Sequence, residues 1–143
     1  MERAVERKKP AWLWALVTTS LAAAFFVLLH LIDDLSQAGA GTFNQVVIGV
    51  TSGLLALVWL FAITLSLRQE RAGYTVVLVL GILGAYLALD HTAGLSPSVA
   101  AVAETSGVFF AWVLLGVGAA SVLAILLAGY GLAQGWSSRG QEA

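Results

Sequence analysis

The sequence contains no cysteine. This excludes disulfides, thiolate metal sites, iron–sulfur clusters and cysteine nucleophiles together. It leaves the compartment open, because disulfides are optional even on the oxidising side of a membrane. Charge is scarce too. Only 10% of the 143 residues are charged, against about 25% in ordinary soluble domains, so the chain lacks the polar surface a water-soluble globule needs. The formal net charge of −1 is not the basic excess of a nucleic-acid binder. No serine stands in a GxSxG elbow. Most of the glycines lie inside apolar runs, and none stands in a phosphate-loop pattern between a strand and a helix.

What is present is apolar length. Hydrophobic residues make up 59% of the chain and gather into four runs, at 11–32, 46–67, 73–89 and about 107–133. A hydrocarbon core of roughly 30 Å needs about 20 residues of helix, so three runs span it comfortably and the third only just. Continuous runs of this length are helices and not barrel strands. The fold class is therefore all-α: a polytopic integral membrane protein, a four-helix transmembrane bundle forming a single domain. The bilayer is its first partner.

The basic residues set its expected orientation. Arg3, Arg7, Lys8 and Lys9 precede the first run, Arg68 and Arg71 lie between the second and third, and Arg139 follows the fourth. The other two connections have no lysine or arginine. The positive-inside rule then places both termini in the cytoplasm, in the plasma (inner) membrane. Trp12, Trp14, Tyr74, Tyr130 and Trp136 fit an aromatic belt at the same face. The first run has a cleavage-like Ala38-Gly39-Ala40 behind it, but it is longer than a signal-peptide core and two aspartates intervene, so we expect a retained helix. Thr42-Phe43-Asn44-Gln45 reads as a capping box for the second helix. Ser96-Pro97 reads as an N-cap and first-turn proline of a short outer surface helix over 97–105, broken near Thr105-Ser106-Gly107.

Small residues mark packing faces, since helices associate in lipid through close backbone approach. Gly49 and Gly53 form one GxxxG pair and Gly131 and Gly135 another, while Gly116, Gly118, Ala119 and Ala120 make the fourth helix slim. Gly81, Gly84 and Ala88 lie on one face below His91, and Thr19, Ala23, Phe26 and Val27 on the face carrying His30. Intramolecular packing is the plain reading of these stripes. A homo-oligomer or a larger membrane complex is the sharper one. A faint repeat, Asp33-Asp34 against Asp90-His91, each followed closely by glycine, hints at a duplicated hairpin.

The stretch LLHLIDDLSQ at 28–37 closes an apolar helix with three ionisable groups. His30, Asp33 and Asp34 stand at i, i+3 and i+4, on one side of it. Both histidines of the chain, with Asp33, Asp34, Asp90 and Glu104, fall at the outer end, joined there by Asn44 and Gln45. Ionisable groups in or near a membrane are costly and read as functional. The bland readings are solvated acids and an interfacial histidine bonded to a carbonyl. Against them stands a site for a divalent transition metal, with His30, Asp33, Asp34, Asp90 and His91 as ligands, because imidazole and carboxylate from two helices is a common ligand supply. Proton handling is a further reading, though the spanning cores hold only hydroxyls such as Thr51, Thr64 and Ser121. A b-type haem between His30 and His91 is another. The expected role is accessory (binding, delivery or sensing) rather than catalysis. The alternatives are a non-catalytic subunit of a larger complex and a metal-dependent membrane enzyme.

Overall fold

The computed structural model describes residues 9–37, 43–93 and 98–137. They form α1 (Ala11–Gln37), α2 (Phe43–Leu67), α3 (Arg71–Ala93), α4 (Val99–Thr105) and α5 (Val108–Ser137), with no strand among them. Helices α1, α2, α3 and α5 are each long and apolar enough to cross a membrane. The chain is a four-helix membrane bundle with a short helix of about two turns, α4, between its third and last spans.

The spans run past the apolar stretches at several ends. Helix α1 continues to Gln37 and α3 covers Arg71 to Ala93, about 35 Å of helix rather than a short one. The reason is that polar residues such as Arg71, Asp90 and Thr92 end hydrophobicity without ending the i→i−4 ladder. The turn between α2 and α3 is tight. The Gln69 amide donates to the Ser66 carbonyl and the Glu70 amide to the Leu65 carbonyl, the paired bonds of a Schellman cap. Gln69 takes the left-handed conformation this requires, at φ 59°. The break before α5 falls at Ser106 and Gly107, with Gly107 at φ +93°. The N-cap of α4 is Ser98, whose Oγ accepts from the Ala101 amide; Ser96-Pro97 and Thr42 lie outside the described residues.

Helix α5 packs along both α1 and α3, and α2 closes the ring against α1 and α3 on the other side. Helices α1 and α3 are therefore diagonal and touch little. Any sequential up-and-down ring puts its first and third helices on a diagonal, so this placement requires no duplication. Small residues set the closest seams. A Cβ on Gly81 would stand 2.9 Å from Ile125 Cγ1, one on Gly118 3.0 Å from Ala88 Cβ, and one on Gly116 3.0 Å from the Phe26 ring. Gly131 packs on Trp12 and Tyr74, and Trp12 also meets Tyr130 edge-on at 5.5 Å, which ties α1, α3 and α5 together at the arginine end.

Helix α2 is the exception. It buries only Trp59, Ala62, Ile63 and Ser66, all in its second half. Among the described residues, Gly49 and Gly53 have nothing within 4 Å of a built Cβ. This GxxxG face is open toward lipid, so the intramolecular reading does not apply to it.

Candidate functional site

At the end of the bundle away from the arginines, α1, α3 and α4 enclose a cleft of about 340 Å³. Helix α1 supplies its first wall. Leu13, Leu16, Ser20, Ala23, Val27, His30 and Asp33 are buried in steps of three and four, one stripe that turns from apolar to ionisable as it nears the helix end. His30 and Asp33 are each only 5% exposed. Helix α3 supplies His91, at 8% exposure, and Leu87 one turn below it. The two imidazoles meet edge-to-face with ring centroids 5.4 Å apart, across the diagonal where α1 and α3 otherwise scarcely touch.

The carboxylates differ. Asp34 Oδ2 lies 3.6 Å from His30 Nε2, with its side chain 43% exposed at the cleft mouth. Asp33 accepts a hydrogen bond at Oδ2 from Gln37 Nε2, 3.2 Å away. The same Gln37 amide donates to Ser106 Oγ and so ties the wall of α1 to the end of α4. Val102 of α4 is buried over the cleft, and Thr105 and Ser106 complete its rim.

Four of the five ligands expected from the sequence, His30, Asp33, Asp34 and His91, line this one cleft. Asp90 does not. It lines a separate groove between α1, α2 and α3, for a simple reason: neighbours on a helix diverge by about 100°, so His91 turning inward carries Asp90 to another face. Glu104 is exposed and outside the cleft lining, as a solvated acid would be. Asn44 and Gln45 do not line it either. Among the described residues, no three histidine or acidic side chains stand close enough to form a ready metal-binding group. The cleft as it stands offers two imidazoles in contact, one partly exposed carboxylate beside them, and a second carboxylate engaged by an amide.

Sequence reasoning missed Gln37, Thr105 and Ser106. Gln37 was findable, since it falls four residues after Asp33 and seven after His30, on the same face. Thr105 and Ser106 were seen only as a helix break.

The fold defines a class, the polytopic helical membrane protein, and the site marks it as one with an ionisable cleft at a single end. No family model, curated protein or solved structure matches the chain.

Proposed function

We propose that the chain is a small integral membrane protein that binds a transition-metal cation in this cleft, in an accessory role of binding, delivery or sensing. The observation that carries the reading is the approach of two nearly buried imidazoles from different helices, 5.4 Å apart, with the Asp34 carboxylate 3.6 Å from His30 Nε2; to complete a set of three ligands Asp34 must swing inward on binding. Zinc, copper, nickel and iron take imidazole nitrogen, and carboxylate completes such sets. With two histidines and one carboxylate, coordination stays open to water or to a delivered ligand. That suits a cation held in transit better than a locked structural ion. A haem in the same place would have to separate imidazole rings that now touch edge to face. The orientation that goes with this reading has both termini in the cytoplasm and the cleft on the far side of the plasma membrane, as the basic residues predict.

The experiment is elemental analysis of protein purified in mild detergent without chelator or tag-derived metal. Near-stoichiometric metal in the wild type, lost in His30→Ala and His91→Ala proteins that keep their helical circular dichroism, is the expected result. A protein that stays empty and takes up no added zinc, copper, nickel or iron overturns the proposal.

A second reading has its own support. The open Gly49/Gly53 face of α2 is the kind of surface through which membrane helices approach one another. It fits a non-catalytic subunit that packs against another membrane protein or another copy of this chain.

A further inference from the structure

The groove to which Asp90 belongs is separate from the cleft and chemically unlike it. It has a volume of about 250 Å³ and runs between α1, α2 and α3, with Leu55, Leu80, Leu83 and Leu87 among its walls. Two aromatic residues, Trp59 and Tyr86, share the lining, and Asp90 is the only charged group among the residues that form it. Tyr86 and Asp90 are i and i+4 on α3, so the ring and the carboxylate lie on one face a single turn apart. Asp90 stands three residues from the end of α3, about 5 Å in from it. The groove therefore combines a carboxylate and a tyrosine ring toward its histidine end with leucine walls along its length.

We propose that this groove binds a lipophilic organic cation, a quaternary ammonium, phosphonium or protonated amine carried on an apolar body. Each part of the lining matches one part of such a molecule. The carboxylate complements the charge, an aromatic face attracts a weakly hydrated cation, and the leucines take up the hydrocarbon. A bare or hydrated metal ion finds a single carboxylate in otherwise apolar and aromatic walls, so the charge here serves an organic cation and not a metal. A zwitterionic phospholipid would bring its phosphate toward the acidic end of the bundle, where Asp33, Asp34, Asp90 and Glu104 stand, and is disfavoured. The slot is below the roughly 300 Å³ at which drug-sized pockets begin, so it takes part of the apolar body while the rest lies in lipid. The site is independent of the metal reading, since none of the cleft residues with ionisable side chains lines it.

The test is equilibrium binding of radiolabelled tetraphenylphosphonium to the full chain in mild detergent, with neutral triphenylphosphine oxide as the comparison. Expected are saturable binding of the cation, no saturable binding of the neutral compound, and affinity weakened about tenfold or more in Asp90→Asn, since the ion pair it removes is worth at least that away from bulk water. Leu83→Trp, which fills the slot at a position open to lipid, should abolish binding without disturbing the core. His30→Ala and Asp34→Asn should bind as the wild type does. Binding that never saturates, that is equal for the neutral compound, or that is unchanged in either Asp90→Asn or Leu83→Trp overturns the proposal.

Discussion

Gly73 shows how little room a single side chain has at the arginine end. A Cβ there would run into the backbone of Leu65 and Ser66 across the turn, and backbone cannot swing aside as a side-chain tip can. Gly73→Ala should therefore destabilise the bundle by about 1–3 kcal/mol, the usual range for overpacking. A lowered thermal midpoint in detergent is the reading that checks it, and an unchanged midpoint refutes it. At Gly84 the obstructing atom is the Ser121 hydroxyl, which can rotate. Ser121 Oγ has no hydrogen-bond partner among the described residues, so Ser121→Ala should cost almost nothing. The contrast between Asp90 and His91 belongs to the same scale. Both residues were visible in the sequence as a polar pair, and the helical angle between neighbours already implied that they serve different faces. The small-residue stripe of Gly81, Gly84 and Ala88 below His91 also indicated which of the two turns inward, and His91 is the buried one.

Among the elements, α2 differs from the other spans in what it leaves uncovered. Gly49→Leu and Gly53→Leu should leave the monomer fold intact, because no described side chain is near either position. They should abolish any self-association or co-purifying partner if α2 is a docking helix. Size-exclusion with light scattering, or crosslinking in membranes, decides this; an oligomer that survives both changes removes α2 from the interface. The existence of four spans was legible from apolar length alone, and the break at Ser106-Gly107 from its glycine. The true extent of α3 was not, since hydropathy stops where polar residues start and hydrogen bonding does not. Nor was the difference between the Gly49/Gly53 and Gly131 motifs, which look alike in sequence. Gly131 is packed against Trp12 and Tyr74, and Gly53 faces nothing among the described residues.

For the molecule as a whole, the absence of cysteine allows orientation to be measured cleanly. Single cysteines at Glu104 and at Gln69, both exposed, sit at opposite ends of the bundle. A membrane-impermeant thiol reagent added to intact cells should label Glu104→Cys and spare Gln69→Cys until the membrane is opened. The reverse pattern would invert the topology and put the cleft in the cytoplasm. That His30 and His91 share one site was an expectation from their depth and helix faces, but the edge-to-face contact of their rings was not legible in the sequence. Their meeting depends on α1 and α3 facing one another across the ring, where α5 on one side and α2 on the other pack against both.

That arrangement bears on how the chain is made. The helix that grips both α1 and α3 is the last span in the sequence, so while it is still being synthesised its two partners have only α2 to hold them. Until α5 arrives, small-residue seams such as Gly81 and Gly84 lie bare to lipid, and the imidazoles have no fixed distance between them. A chain stalled or truncated before about residue 108 would keep α1, α2, α3 and the groove they share, yet lack the seams that set the cleft. It would be an inserted protein without an assembled site, and the cell's quality control would meet it in that form.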